Sequence, residues 1–542
     1  MYYTSSNGFY FFQSTSIKIH VSKMLQSLFL LILPLISTFF CILSKAEFTE
    51  IVETDKGKVR GEILTTVQSY QKYSAFKGIP YATPPIGYGR RFRRPVEAQP
   101  WEGVLDALND PIPCAQIDAQ TLRYMGDEDC LYLNVYTPEL NFKKPKSRAV
   151  MVWIHEGAFM FGYVRTSRYG PDFLIEKDVV LVAMNYRLSI FGFFTFRPTY
   201  FDSNNGLRDQ ALALKWVQKN IHKFGGDPTK VTIFGESAGG SSVEYHRLSP
   251  ISQGLFRASI SMSGSAMHEW AAIGEKLSRQ YGEIMVTRML QIPLLSDQYV
   301  YNRMVNEDTW RLIRFTIYII LGARDLIVKP AVESKAVDDP FIPNDSTYIY
   351  RSRNCSPIPH ILGFTNAEAI AVLNFLGPIP YIFGEDFTDS KMALYSDAIF
   401  ICDVDKSQRY LNHYCNTTVW YYRNSFDYDR SLHKLDGMNR RPGCGHADDI
   451  AHIFWMDGMQ QSLDPNSDIA KHRKNMVTMW TNFAKYLRPT IPENKALDVG
   501  VDWPPTDENG THLEIDKVLR VSHTRPISKA VESMIGREEH FD

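Results

Sequence analysis

The sequence predicts an α/β fold, with a large, mostly parallel central sheet flanked by helices on both faces. Three observations point there. Continuous apolar runs of strand length recur, Arg148 to Ile154 and Val179 to Met184 foremost. A segment of helix length, Leu207 to Phe224, carries a broad apolar face. The run Val231-Thr232-Ile233 then leads straight into Phe234-Gly235-Glu236-Ser237-Ala238-Gly239-Gly240, a sharp strand-to-helix turn written in sequence. Strands that are apolar throughout are buried on both faces. Strands alternating with helices of this length build parallel sheets.

Taken in chain order, the first element is a targeting segment. Leu25 to Leu43 is mostly apolar, follows Lys18 and Lys23, and ends in Ser44-Lys45-Ala46, small residues at both positions a signal peptidase reads. Met24 offers an alternative start, with residues 1–23 an upstream extension. An uncleaved anchor is the competing reading; Pro34 and the Ser-Lys-Ala end favour cleavage. Residues 1–46 are therefore expected to be an N-terminal extension and signal peptide, and 47–542 one continuous domain. The C-terminal Glu538-Glu539-His540-Phe541-Asp542 is not apolar, so no stable membrane span is expected after cleavage.

Within the domain, Leu207, Ala211, Leu214, Trp216, Val217 and Ile221 form the apolar face of the helix, and Gly225-Gly226-Asp227-Pro228 stops it. Ala258 to Met262 reads as the next core strand, and residues 275–340 as mixed helix without a site. In parallel sheets chemistry sits at the carboxyl ends of the strands, where Ser237 falls.

Composition fits this picture. The chain has 542 residues, 44% hydrophobic and 22% charged, enough for a large core. A net charge of -1 gives no electrostatic case for nucleic acid or acidic membranes. The short cluster Arg90-Arg91-Phe92-Arg93-Arg94 reads as structural ion pairing. After the leader, Cys114, Cys130, Cys355, Cys402, Cys415 and Cys444 remain, an even set suited to an oxidising compartment. A bridge is expected between Cys114 and Cys130, closing a short loop; count does not fix the pairing of Cys355, Cys402, Cys415 and Cys444, and Cys402–Cys415 is the pairing offered. No cysteine or histidine spacing suggests zinc, so no metal is expected. Sequons at Asn344, Asn354, Asn416 and Asn509 are candidate glycosylation sites in a secreted chain, Asn354 the weaker because Pro357 follows its serine.

A serine hydroxyl is a poor nucleophile at neutral pH and needs a base, a carboxylate to orient the base, and amides where an oxyanion will form. Gly235 and Gly239 leave room for the tight turn that lifts Ser237 above the sheet. His446, in Gly443-Cys444-Gly445-His446-Ala447, sits in an uncrowded loop able to carry a base. Glu368, in Gly363-Phe364-Thr365-Asn366-Ala367-Glu368, is the acid candidate. Taken singly, Glu368 reads as an ordinary exposed glutamate and His446 as one of 14 histidines. The order serine, acid, histidine joins them, because it is the order of α/β-hydrolases. His155-Glu156-Gly157-Ala158-Phe159 follows a strand, and the amides of Gly157, Ala158 and Ala238 are the oxyanion candidates.

These residues resemble the type-B carboxylesterases, which include cholinesterases, juvenile-hormone esterases, general insect esterases and inactive neuroligin-like adhesion proteins. The resemblance spans nearly all of residues 47–542. It is carried by Phe76-Lys77-Gly78-Ile79-Pro80-Tyr81-Ala82, Arg91-Phe92, Glu128-Asp129-Cys130-Leu131-Tyr132-Leu133-Asn134, Asn185-Tyr186-Arg187-Leu188, Gly192-Phe193, Asp209-Gln210 and Phe224-Gly225-Gly226-Asp227-Pro228. It implies an α/β-hydrolase fold, Ser237 as nucleophile, Glu368 as acid, His446 as base, and Gly157, Ala158 and Ala238 as oxyanion donors. It also implies that Cys114–Cys130 is the family's first disulfide, that the substrate is a small-molecule ester, and that no cofactor is needed. An insect-type general carboxylesterase is the expected function.

Four positions depart from the family pattern. Glu156 replaces the usual first glycine of the oxyanion run, where a carboxylate either opposes the developing charge or turns away into a salt bridge. The stretch from Glu368 to His446 is short. The Cys114–Cys130 loop is also short and holds no tryptophan in 115–129, which argues against a choline ester bound by cation–π attraction. Glu236 stands where juvenile-hormone esterases show glutamine, which favours a general esterase. Two alternatives share the scaffold: a non-catalytic binding or adhesion protein, and an ester scavenger that acylates and releases slowly.

Overall fold

The computed structural model describes residues 47–119, 121–291, 296–323, 327–370, 389–435, 441–459 and 461–538. The expected leader, residues 1–46, lies outside the described residues. An eleven-stranded sheet organises the rest. In chain order its strands are β1 Glu62–Thr65, β2 Lys72–Pro80, β3 Tyr132–Thr137, β4 Arg148–Ile154, β5 Val180–Met184, β6 Gly226–Glu236, β7 Ala258–Met262, β8 His360–Thr365, β9 Val419–Asn424, β10 His512–Ile515 and β11 Arg520–Ser522. In space they run β11-β10-β9-β8-β7-β6-β4-β5-β3-β2-β1. From β5 to β10 every pair is parallel, and both ends are finished by antiparallel strands.

Alternation on a pleated strand explains why β4 is apolar at nearly every position. Val150, Val152 and Ile154 enter one core, while Met151 and Trp153 enter another on the opposite face. The first core is closed by α1 (Asn205–Asn220) and α2 (Ala238–Leu248), through Leu207, Leu214, Val217 and Val243. The second is closed by the helix Asp468–Tyr486, through Met476, Trp480 and Phe483. Helices on both faces follow from strands with no polar face. The expected helix over 207–224 is α1 followed by a 3-10 turn, Ile221–Phe224. Gly225 ends that turn in the left-handed region at φ 83°, where glycine carries no Cβ penalty.

Residues 275–340 are helical over Glu275–Leu290, Asp297–Val305 and Thr309–Ala323. They pack on a separate cluster rich in phenylalanine, including Phe92, Phe191, Phe194 and Phe201. The basic cluster is structural: Arg91 is buried against Glu128, and Arg93 and Arg94 face Asp202.

Cys114 and Cys130 are bridged, with Cα atoms 4.9 Å apart. The expected Cys402–Cys415 bridge is not formed; Cys415 pairs with Cys355, and Cys444 is a free thiol. The reason is the helix Cys402–Tyr414 between them. At 1.5 Å per residue its ends lie roughly 20 Å apart, far beyond the reach of a disulfide. Asn354 and Asn416 flank the Cys355–Cys415 bridge and are exposed, as is Asn509, while Asn344 is half-buried. No helix among the described residues is long and apolar enough to cross a membrane.

Candidate active site

Ser237 follows β6 directly and starts α2, with φ 54° and ψ -120°. A non-glycine residue at positive φ is strained, and its neighbours show what holds it. A Cβ at Gly239 would lie 2.0 Å from the Ile154 carbonyl oxygen, and one at Gly235 2.5 Å from the Gly239 carbonyl carbon. The turn is therefore closed by backbone packed on backbone, against the end of β4. The Ser237 amide donates to the Met262 carbonyl on β7 at 2.9 Å, locking the elbow to its other neighbour. Among the described residues the Ser237 hydroxyl makes no hydrogen bond.

The oxyanion candidates stand beside it. Gly157 has φ 115°, and a Cβ there would lie 1.9 Å from the Phe161 carbonyl oxygen. Ala158 and Phe159 also have positive φ, at 53° and 61°. The amides of Gly157 and Ala158 donate no hydrogen bond among the described residues. The Ala238 amide, in the first turn of α2, has no partner inside the helix. Gln116 of the Cys114–Cys130 loop ties this loop down. Its amide nitrogen donates to the Gly162 carbonyl at 3.0 Å, and its oxygen accepts from the Gly162 amide at 2.8 Å. That residue escaped sequence reasoning, which looked in the loop for an aromatic ligand.

The Glu156 side chain is held in a salt bridge. Its carboxylate accepts from Arg168 at 2.6 Å and from the Tyr169 hydroxyl at 2.7 Å. Burial alone would push this carboxyl up; Arg168 outweighs it and holds the group below the usual carboxylate value.

On the other side, β8 ends at Thr365 and the chain turns through Asn366 and Ala367 to Glu368, which is fully buried. The histidine loop docks on that turn. The Ala367 amide donates to the Cys444 carbonyl at 3.0 Å, and the Cys444 amide to the Asn366 side chain at 2.9 Å. Docking brings His446 Nδ1 to 2.6 Å from Glu368 Oε2. Glu368 Oε1 accepts from the Ser263 hydroxyl at 2.6 Å and from the Thr365 amide at 2.7 Å. Three hydrogen bonds thus fix the carboxylate, and the buried acid differs from the exposed glutamate that the sequence alone suggests. The short Glu368 to His446 stretch is described except at 371–388 and 436–440, which lie outside the described residues.

His446 Nε2 lies 3.1 Å from Glu236 Oε1, though without the alignment of a hydrogen bond. Burial, reinforced by the charges of Glu156, Asp449 and Glu368, pushes the Glu236 carboxyl well above its ordinary value. The arrangement joins a strained serine, a carboxylate-held imidazole and unoccupied amides at the carboxyl ends of β4, β6 and β8. Such a set can activate an alcohol nucleophile and stabilise an oxyanion.

Comparison with known proteins agrees with this geometry. The carboxylesterase family profile matches residues 49–389 and 381–530. Venom carboxylesterase-6 of Apis mellifera is 30% identical over 525 residues, covering 86% of this chain and 90% of its own. Juvenile hormone esterase of Tribolium castaneum is 30% identical over 507 residues, covering 82% of this chain and 84% of its own. The crystal structure of juvenile hormone esterase from Manduca sexta, with OTFP covalently attached, matches with a TM-score of 0.80 at 25% identity, over 90% of this chain and 98% of that one.

Proposed function

The chain belongs to the carboxylesterase family, an α/β-hydrolase fold that hydrolyses carboxylic esters, and from that premise we propose that it is a secreted serine carboxylesterase working through an acyl-enzyme on Ser237. The observation that carries this reading is the 2.6 Å contact between His446 Nδ1 and Glu368, in a chain whose elbow holds Ser237 at φ 54°. The carboxylate holds the imidazole with Nδ1–H toward itself, so Nε2 is the basic nitrogen.

Ser237 Oγ attacks the ester carbonyl carbon as His446 Nε2 takes the hydroxyl proton. The amides of Gly157, Ala158 and Ala238 receive the oxyanion. The carbon–oxygen bond to the alcohol breaks, and the imidazolium returns its proton to the leaving oxygen. Water, deprotonated by the same nitrogen, then cleaves the acyl-serine and frees the acid. Each step uses side chains and amides of this chain alone. The leader in residues 1–46, the disulfides and the surface sequons support secretion. The slow-release scavenger reading rested on Glu156, and that carboxylate is already paired with Arg168.

The test is the chain from Glu47, produced in a secretory host, with a fluorophosphonate probe and short p-nitrophenyl esters. Labelling with steady turnover, both abolished in Ser237→Ala, is the expected result. Turnover near wild type in Ser237→Ala overturns the nucleophile assignment. A single burst without turnover replaces the esterase with a scavenger, and no labelling of folded protein points to a binding role.

A further inference from the structure

His446 is held by a single hydrogen bond to a carboxylate at Nδ1, and one such bond leaves an imidazole free to swing about it. Something must fix the plane of the ring. Phe400 does so: its ring centroid lies 4.4 Å from that of His446, and it is 5% exposed. What holds Phe400 is less ordinary. Residues Asp397–Ile401 form a π-helical turn, closed by the Cys402 amide on the Asp397 carbonyl. A π turn widens the ladder and leaves carbonyls for other donors, and such turns mark functional positions. Here the Trp270 indole N–H donates to the Ile399 carbonyl at 3.0 Å. His268 Nε2 meets the Phe400 carbonyl at 3.1 Å, and the Ser265 hydroxyl donates to the Asp403 carbonyl at 3.2 Å.

Nδ1 of His268 meets Ser265 three times, at its amide, hydroxyl and carbonyl, and the amide contact is the shortest. The Ser265 amide donates to His268 Nδ1 at 2.9 Å, so Nδ1 is an acceptor and Nε2 carries the hydrogen given to Phe400. The imidazole is fully buried and lies tilted against Trp270, ring centroids 4.6 Å apart. The segment behind β7 therefore serves both partners of the catalytic histidine. Ser263 fixes the acid, and five residues later His268 fixes the aromatic ring.

We propose that His268 and Trp270 are positioning residues for ester hydrolysis: by binding the carbonyls of Ile399 and Phe400 on the π turn, they hold the Phe400 ring against His446 and so fix the plane of the imidazole. Neither needs to touch substrate. Burial lowers the His268 pKa to about 4, so the neutral donor form persists through the neutral range. This inference rests on the proposed roles of Ser237, Glu368 and His446.

The test measures kcat and KM on a short p-nitrophenyl ester, with thermal melting of each purified protein, for wild type, His268→Ala, His268→Gln, Trp270→Phe, Phe400→Ala and the double variant His268→Ala/Phe400→Ala. Misaligned catalytic groups cost rate rather than affinity, so His268→Ala and Trp270→Phe are expected to lower kcat about tenfold with KM shifted less than about twofold. His268→Gln restores most of the rate, because a glutamine amide both accepts from Ser265 and donates to Phe400. In the double variant the losses do not multiply, since His268 acts through Phe400. The proposal is overturned if His268→Ala melts earlier but keeps the wild-type kcat, if glutamine fails to rescue, or if the two losses multiply. Should His268→Ala not fold, Trp270→Phe and His268→Gln carry the same comparison. Ser237→Ala run in parallel separates the two failures: turnover that survives it refutes the site assignment, whereas Ser237-dependent turnover indifferent to His268 refutes only the clamp.

Discussion

Around Ser237 the site is held by backbone against backbone; the His446 imidazole itself is held by side chains. The elbow exists because Gly235 and Gly239 let β6 and α2 press on the end of β4, with no tolerance for a methyl group. The histidine side has no such contact at its reacting group. Its geometry is assembled from hydrogen bonds among Ser263, Thr365, Glu368 and His446, plus one aromatic ring. A sterically closed turn is all or none, whereas a hydrogen-bonded one can lose a bond and keep its shape. Substitutions on the two sides should therefore fail in different ways, destroying the fold on one and the rate on the other.

The largest effect is expected on the serine side. In Gly239→Ala the new Cβ would stand 2.0 Å from the Ile154 carbonyl, inside a core strand that cannot yield. Folded protein should be lost from the secreted fraction. A well-folded, active Gly239→Ala would show that the elbow is softer than its contacts imply and would remove the contrast. Next comes Glu368→Gln. Glutamine keeps an acceptor for Ser263 and Thr365 but presents N–H to His446 Nδ1, forcing the wrong tautomer. A loss of roughly 10³–10⁴ in kcat is expected with melting within a few degrees of wild type. A collapse in stability instead would place Glu368 among the structural residues.

The same contrast explains what the sequence could show. Strand Arg148–Ile154 was legible to the residue because burial on both faces demands a nearly unbroken apolar run after Arg148. Ser237 was legible because steric closure writes glycines at fixed offsets. Glu368 and His446 became legible only together, through chain order and family resemblance. Ser263, Phe400 and His268 were not legible at all. Ser263 lies 105 residues from Glu368, and His268 lies 132 from Phe400, so no local pattern links them. The Cys402–Cys415 expectation failed for a related reason: counting residues ignored the helix that holds them apart.

A smaller effect lies beneath both sides, where buried carboxyls crowd. Burial first, then the charges of Glu368 and Asp448, raise the Asp449 pKa to about 8. Its pKa in the unfolded chain is about 3.9. The folded state thus holds a proton that the unfolded chain releases, so the stability present below about pH 4 is lost progressively as pH rises toward 8. Asp449→Asn, neutral at every pH, should remove that loss. Its melting temperature should exceed wild type by more at pH 8 than at pH 5. Parallel melting curves for the two proteins across this range would mean that Asp449 is ionised without cost.

The smallest effect tests the one side chain that could have made the serine side electrostatically delicate. Glu156 sits at the oxyanion loop, but its carboxylate is spent on Arg168 and Tyr169. Glu156→Gln leaves the backbone amides in place, and Arg168, half-buried, can take up water where it loses a charge partner. The rate should stay within about threefold of wild type, far from the roughly 10²–10³ that one lost oxyanion donor costs. The melting temperature should fall slightly. An acceleration beyond tenfold would mean that the carboxylate is felt by the oxyanion after all, and that charge as well as backbone shape governs the serine side.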